Sequence, residues 1–100
     1  MTINKIKDGK ALTLQLEGKL DSMTAPELEA VVKSDLEGVE DLYFDFTKLE
    51  YISSAGLRVL LTAKKVMDVQ GDMTVLNPGE LVKEVFEVTG FAEILTIDYV

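Results

Sequence analysis

The 100-residue chain contains no cysteine, no histidine and no tryptophan. The absence of cysteine excludes disulfide bonds, thiolate zinc sites and thiol nucleophiles. The absence of histidine removes the usual general base, the commonest metal ligand and phosphohistidine chemistry. Basic side chains are also few, since 10 Lys and Arg stand against 18 Asp and Glu, for a net charge of −8. Such a surface repels phosphate backbones and anionic lipid, so neither nucleic acid nor a membrane surface is an expected partner.

Long apolar stretches are missing as well. No hydrophobic run approaches the roughly 18 residues that cross a membrane as a helix. The opening Met-Thr-Ile-Asn-Lys-Ile-Lys lacks the apolar block of a signal peptide. With 47% hydrophobic and 28% charged residues, the composition is that of a folded domain and not of a disordered acidic tail. We therefore expect one cytoplasmic domain over residues 1–100.

A β-hairpin is predicted at the start of the chain. Asp8-Gly9 stands between Thr2–Lys7 and Lys10–Glu17, and Asp-Gly supplies the positive φ angles that a type I′ turn needs. Every second residue from Leu12 to Leu16 is leucine, so the second arm has one buried face. The first arm alternates poorly and is expected at an edge of the sheet.

Three helices follow, each ended by a glycine. Thr24-Ala25-Pro26-Glu27 has the pattern of a capping box, and Asn77-Pro78-Gly79-Glu80 is interpreted as a second cap with Pro78 at the first helical position. The helices are expected from Thr24 to Gly38, from Ser54 to Gln70, and from the second cap to Gly90. The strands between and after them are expected at Leu42–Phe46, Met73–Leu76 and Ile94–Val100.

The order ββαβαβαβ predicts an α/β fold, an opening hairpin followed by αβαβαβ with mainly parallel strands and right-handed crossovers. Apolar alternation persists in the strands and never becomes a solid hydrophobic run. This pattern favours helices that cover mainly one face of the sheet. In such a sheet the functional loops lie beyond the carboxyl ends of the strands.

The most informative of these loops is predicted from Thr47 to Ser53, and it leads into Ser54-Ala55-Gly56. Ser54 at a helix start has two interpretations: an N-cap, worth about 1 kcal/mol over alanine, or an exposed acceptor for a modification. Gly56 favours the second, because glycine in a helical turn costs roughly 0.5–1 kcal/mol relative to alanine. That cost is reasonable where a partner or a modifying enzyme must come close.

A phosphate on Ser54 would be tolerated by the fold. The free amides and the positive end of the helix dipole favour an anion there by about 0.3–1 kcal/mol. Arg58, one turn further on, adds a charge-assisted contact. In a docked complex, by contrast, a charge left buried and unpaired costs about 2–5 kcal/mol. Phosphorylation is therefore expected to act on binding and to leave the fold intact.

The segment from Tyr51 to Leu61, Tyr-Ile-Ser-Ser-Ala-Gly-Leu-Arg-Val-Leu-Leu, resembles the signature of STAS domains of the anti-sigma factor antagonist family. The likeness extends to Gly18-Lys19-Leu20-Asp21, Asp45-Phe46-Thr47 and Asn77-Pro78. It implies a partner switch, in which the unmodified antagonist binds an anti-sigma factor that is also a serine kinase and so frees a sigma factor. Phosphorylation by that kinase releases the antagonist, and a PP2C-type phosphatase resets the cycle.

The resemblance assigns the phosphoacceptor to Ser54, with Asp21 and Asp45 as acidic positions near it, and with Gly56 and Leu57 as the Gly-Leu pair that follows. Regulatory members commonly carry Asp immediately before the acceptor and Ser or Thr after it. This chain has Ser53 and Ala55 there, so Ser53 is the alternative acceptor. We expect no cofactor and no metal.

Arg58, Thr62 and Lys65 share the Ser54 side of the helix. With Ser53, Ser54, Gly56 and Leu57 they make the predicted partner surface, although a solvated helix face would have the same residues. For Asp21 and Asp45 the other interpretation is turn and cap chemistry. Two carboxylates without further ligands seldom hold Mg²⁺.

Of three other function classes, one stays open and two are excluded by the sequence. A STAS scaffold that is never phosphorylated, for example an accessory subunit of a transporter, is the alternative function. A carrier protein with a serine-linked prosthetic arm would be a helical bundle, which the strand signals contradict. A serine hydrolase would need a histidine base and a G-x-S-x-G motif, and Ile52 stands where the first glycine belongs. We therefore predict that the protein is not an enzyme.

Overall fold

A computed structural model describes residues 1–100 as one five-stranded sheet with its helices. The strands are β1 (Thr2–Asp8), β2 (Ala11–Leu20), β3 (Asp41–Ile52), β4 (Asp72–Leu76) and β5 (Thr96–Asp98). The helices are α1 (Ala25–Asp35), α2 (Ser54–Met67), α3 (Glu80–Thr89) and the short α4 (Phe91–Ile94). The strands lie in chain order, β1 and β2 are antiparallel, and the other three pairings are parallel. The predicted α/β class and opening hairpin are confirmed.

The helices pack on one face of the sheet, as predicted. Leu14, Phe44 and Val75 are paired across β2, β3 and β4 and are fully buried. Because side chains alternate between faces along a strand, this row identifies the helix-covered face. The same face of β1 carries Lys5, whose Nζ lies 2.8 Å from a carboxylate oxygen of Asp35 at the end of α1. The 23-residue core thus lies between this face and the helices.

The loop predicted from Thr47 to Ser53 is wrong, because β3 continues as a strand to Ile52. β2 also continues past Glu17 to Leu20 and supplies the partner strand. Two register shifts in the pairing give β3 two extra residues between Asp45 and Ile52. These irregularities let Leu49 and Ile52 both turn into the core despite their odd spacing.

The predicted capping box at α1 is also wrong. The Thr24 hydroxyl makes no cap hydrogen bond to α1 and instead donates to the carbonyl oxygen of Lys19 at 2.8 Å. The Thr24 amide donates to Asp21 Oδ1 at 3.1 Å. Asp21 therefore fixes the turn between β2 and α1, since a short carboxylate can bond the amides two and three residues ahead.

The remaining corrections lie at element ends. The N-cap of α3 is Gly79, so Pro78 precedes the helix and does not occupy its first position. Gly90 ends α3 with φ +82°, and α4 follows where the last strand was expected to start, which shortens β5 to three residues. α2 ends at Met67, three residues before the predicted end, and the Gln70 side chain donates to the carbonyl oxygens of Leu36 and Val39.

Candidate functional site

Ser54 is the first residue of α2, and only Ser53 separates it from the end of β3. Its side chain is exposed. Ser53 occupies the N-cap position with extended backbone, so the N-cap interpretation of Ser54 is wrong. No side chain caps this helix end, and the first amides of a helix have no partner within it. The geometry therefore presents a free hydroxyl beside unsatisfied N–H groups.

Ser53 is held in a different way. Its amide donates to the carbonyl oxygen of Leu20 at 2.9 Å, and its own carbonyl accepts from the Leu57 amide at 3.0 Å. Its Oγ is buried and has no hydrogen-bond partner. The Ser54 side chain is exposed to solvent, whereas the Ser53 hydroxyl faces the protein. The geometry thus favours Ser54 over the alternative acceptor.

Gly56 is buried, and the reason for a glycine here is not the one that its sequence position suggested. A Cβ on this residue would lie 2.7 Å from Leu20 Cγ and 2.8 Å from Ile52 Cγ1. The glycine therefore lets α2 approach the ends of β2 and β3, and it makes no room for a partner. Leu57 is also buried in the core. Both residues shape the site from beneath and are not part of its solvent-facing surface.

The remaining members of the predicted partner surface lie as expected along one side of α2. Arg58 and Lys65 are exposed, and Thr62 is half-buried with its hydroxyl donating to the Arg58 carbonyl at 3.1 Å. Arg58 takes part in none of the four ion pairs of the protein. Its guanidinium is therefore available to an anion at the start of α2.

The two aspartates do not lie together. Asp21 follows Leu20, whose carbonyl receives the Ser53 amide, so it lies at the same end of the sheet as Ser54. Asp45 is paired with Gln15, which lies five residues before Leu20 in β2. At the usual strand rise of about 3.3 Å per residue, Asp45 is therefore about 16 Å along the sheet from the end where Leu20 meets Ser53. The expectation that Asp45 lies near the acceptor is wrong, because β3 continues past it as a strand. Asp45 accepts from the Thr47 amide and hydroxyl at 3.0 and 2.6 Å, which is a local hydrogen-bonding role within β3.

Asp21 is a strong hydrogen-bond acceptor. The backbone amides of Thr24 and Met23 donate to it at 3.1 and 3.0 Å and hold the pKa of its carboxyl below the usual value. Hydrogen bonds from amides favour the charged form. The carboxylate therefore stays ionised at neutral pH and keeps the turn beside Ser54 in place.

Asp21→Asn is expected to lower the melting temperature at neutral pH and to matter less in acid. When the pKa of a carboxyl is lower in the folded than in the unfolded state, the ionised carboxylate stabilises the fold at any pH above its unfolded-state pKa. That stabilisation is lost as the pH falls through the folded-state pKa. Melting curves of both proteins between pH 2 and 7 should converge at the acid end. A difference that is constant over this range would contradict the assignment of the stabilisation to the ionised carboxylate.

A groove of about 480 Å³ adjoins this site and was missed in the sequence. It is lined by Lys19, Asp21, Glu50, Tyr51 and Leu81, from the ends of β2 and β3 and the start of α3. Tyr51 and Leu81 are 39% and 51% exposed, so both place apolar area on the wall of this groove. The available signal was Leu81, which stands beside the core position Val82 and so cannot share its buried face.

No helix of the protein is long and apolar enough to span a membrane. The longest helix, α2, has 14 residues.

Comparison with known proteins places these features in a family. Residues 2–99 match the STAS domain family. BtrV of Bordetella bronchiseptica, which is described as an anti-sigma factor antagonist, is 39% identical over 99 residues, 97% of this chain and 84% of BtrV. The anti-sigma-B factor antagonist of Staphylococcus aureus is 25% identical over 100 residues, 98% of this chain and 93% of that protein.

The fold agrees with a solved structure as well. SpoIIAA, a cell fate determinant of Bacillus whose structure was solved in the phosphorylated form, superimposes with a TM-score of 0.76 at 19% identity. The match covers 97% of this chain and 91% of SpoIIAA. The chain is therefore a STAS domain protein of the anti-sigma factor antagonist family.

Proposed function

We propose that the protein binds an anti-sigma factor of the serine-kinase type while Ser54 is unmodified, and that phosphorylation of Ser54 ends the binding. A sigma factor is freed in the first state and recaptured in the second. The observation that carries the proposal is the exposed hydroxyl of Ser54 at the uncapped N-terminus of α2. The proposal includes a cytoplasmic location, where ATP and a sigma factor are available.

The electrostatics of α2 support a phosphate at this position. The first amides of the helix and the positive end of its dipole both favour an anion. Arg58 has no ion-pair partner and lies one helical turn from Ser54, so it can pair with a phosphate oxygen. The modified state is therefore stabilised within the antagonist itself, without a change of fold.

The chemistry of the transfer requires a partner. The Ser54 oxygen attacks the γ-phosphorus of ATP, a new O–P bond forms, and ADP leaves with the electrons of the broken bond. The hydroxyl proton must pass to a base, and this chain has no histidine to accept it. In the proposal that base belongs to the kinase, a PP2C-type phosphatase hydrolyses the ester, and the antagonist is a substrate and not an enzyme.

The proposed binding surface combines the exposed side of α2 with the adjacent groove. Ser54, Arg58 and Lys65 supply its polar part. Tyr51 and Leu81 supply exposed apolar area of the kind that anchors protein interfaces. The relatives support this function, because BtrV and the staphylococcal protein are both described as anti-sigma antagonists and SpoIIAA has a phosphorylated form.

The direct experiment is incubation with a serine-kinase anti-sigma factor of the same organism and ATP, followed by mass spectrometry. One phosphate is expected, located on Ser54. Ser54→Ala should accept none, whereas Ser53→Ala should be modified as the wild type, because the Ser53 hydroxyl is buried.

The other outcomes have definite meanings. A phosphate mapped to Ser53 would overturn the choice of acceptor. Stable binding of the anti-sigma factor with no phosphate transfer would favour the alternative, a STAS scaffold that is not switched.

A further inference from the structure

The face of the sheet opposite the helices has no cover. Three of the four strand pairings are parallel, and sheets of parallel strands usually have helices on both faces. Here α1, α2 and α3 contribute their buried residues to the same core. We call the uncovered side the open face. It spans all five strands, and its residues follow from the register.

The middle of the open face is a row without charged side chains. The register aligns one residue from each strand, in the order Ile6, Thr13, Tyr43, Thr74 and Thr96. Thr13, Tyr43 and Thr74 are half-buried between their neighbours, and Ile6 at the edge is 46% exposed. The row therefore offers a continuous uncharged strip across the sheet, about 19 Å long at about 4.8 Å per strand.

Acidic side chains flank this row on both sides. On one side, the aligned residues from β1 to β4 are Asp8, Ala11, Asp41 and Asp72. On the other side, the aligned residues from β1 to β5 are Asn4, Gln15, Asp45, Leu76 and Asp98. Glu17 and Lys48 form the next pair. From the Asp8–Asp41–Asp72 line to the Glu17–Lys48 pair, the open face thus carries six acidic residues and one basic residue, a net −5 for a chain whose net charge is −8.

Hydrogen bonds hold one of the two flanks in place. The side-chain amide of Asn4 donates to Gln15 Oε1 at 2.8 Å, and the side-chain amide of Gln15 donates to Asp45 Oδ2 at 3.4 Å. Beyond Asp45, the Thr47 hydroxyl accepts from the Asn77 side-chain amide at 3.3 Å. This flank is fixed before any ligand arrives, which lowers the entropy cost of binding.

We infer that the open face binds a basic amphipathic helix of a partner protein, laid across the strands. A helix rises about 1.5 Å per residue, so about 13 residues cover the uncharged row. Its apolar stripe would lie on Ile6 and Tyr43. The carboxylates lie two residues further along each strand, about 7 Å from the row, within reach of Lys and Arg side chains on either side of such a helix.

Charge selects this occupant over the alternatives. A second copy of the chain would bring six acidic residues against six more across a two-fold axis, and like charges opposed at an interface cost several kcal/mol. A phosphate backbone or an anionic membrane would be repelled in the same way. Because α2 packs on the covered face, an occupant of the open face leaves Ser54 accessible. The inference is therefore independent of the proposed function.

A synthetic helix provides the test. The probe is a peptide of about 14 residues with a leucine stripe and lysines on both sides of it, and its control is a scrambled peptide of identical composition. Binding to the full chain is measured by calorimetry at low salt, and the contact surface is mapped by backbone amide NMR. We expect the probe to bind at least about tenfold more tightly than the scrambled peptide, with shifts centred on Thr13, Tyr43 and Thr74.

Two double variants separate the open face from the net charge. Asp41→Asn with Asp72→Asn removes one flank and should weaken the probe about tenfold, since two rim ion pairs are lost. Glu87→Gln with Glu93→Gln removes the same charge from the surface of α3 and α4, where both residues are exposed, and should leave binding unchanged. Ser54→Glu should also leave it unchanged.

Three results would overturn the inference. The first is equal weakening by both double variants, which would mean that the peptide senses only the net charge. The second is equal binding of the probe and the scrambled peptide, or NMR shifts centred on α2 or α3. The third is a dimer in sedimentation whose formation shifts the backbone amide signals of Thr13, Tyr43 and Thr74 in NMR.

Discussion

Ser54→Glu is expected to retain the wild-type circular dichroism spectrum and melting temperature and to bind the anti-sigma factor at least about 30-fold more weakly. A carboxylate in the first turn of α2 is stabilised by the helix dipole by about 0.3–1 kcal/mol, so the fold tolerates it. In a complex closed over Ser54 the same charge is desolvated without a partner, at about 2–5 kcal/mol. Since 1.4 kcal/mol is about tenfold in affinity, the loss is about 30-fold at the lower limit.

The matched control for this variant is Val69→Glu. Val69 is 85% exposed just beyond the other end of α2. The helix axis from Ser54 to Met67 is about 20 Å long at about 1.5 Å per residue. Val69→Glu adds the same charge beyond the opposite end of the same helix and should leave affinity for the anti-sigma factor within about twofold. If both variants weaken binding equally, the loss comes from net charge and not from the site. If Ser54→Glu unfolds, the switch cannot act on binding alone.

Gly71→Ala is expected to destabilise the protein by about 3 kcal/mol, at the upper end of overpacking effects. A Cβ on Gly71 would overlap the carbonyl oxygen of Glu40, a backbone atom that no rotamer change can move. That carbonyl already accepts from the Asp72 amide at 2.8 Å, where β3 and β4 begin to pair. At about 4–8 °C per kcal/mol for a domain of this size, the melting temperature should fall by about 12–24 °C.

The φ angle of Gly71 is not positive, so alanine is not forced into the left-handed region and the expected effect is steric. Gly79→Ser is the control, because a Cβ there meets nothing within 4 Å and serine is a preferred N-cap for α3. The melting temperature of Gly71→Ala should therefore fall, whereas that of Gly79→Ser should rise or stay unchanged. A Gly71→Ala protein as stable as the wild type would show that β3 and β4 can shift apart without cost.

The glycines show where interpretation of the sequence reached its limit. Gly9 was correctly identified as a hairpin turn residue, and it has φ +60°, because Asp-Gly carries its own local conformational preference. Gly56 was attributed to the close approach of a partner or a modifying enzyme, and Gly71 to the end of the second helix. Their actual neighbours, Leu20 and Glu40, are more than 30 residues away in sequence, so no local pattern could reveal them.

At the candidate site, too, one feature could be predicted from local sequence and another could not. The position of Ser54 at a helix start followed from the break between alternating and helical apolar spacing, and the structure has it at the first residue of α2. The separation of Asp45 from that serine did not follow. It depends on β3 pairing with β2 as far as Leu20 and Ile52, and on two bulges that only the pairing creates.

The amino-acid sequence by itself determined the α/β class, the one-sided helix layer, the hairpin and the placement of a serine at the beginning of a helix. Each of these depends on spacing, turn chemistry or capping within a few residues, and such short-range energies are present in any conformation of the chain. Only the tertiary structure decided that Ser53 turns its hydroxyl inward, that Leu81 meets Tyr51 at one groove, and that five of eight net negative charges gather on the open face. These depend on strand register and on contacts between distant segments, which exist only after the chain has folded.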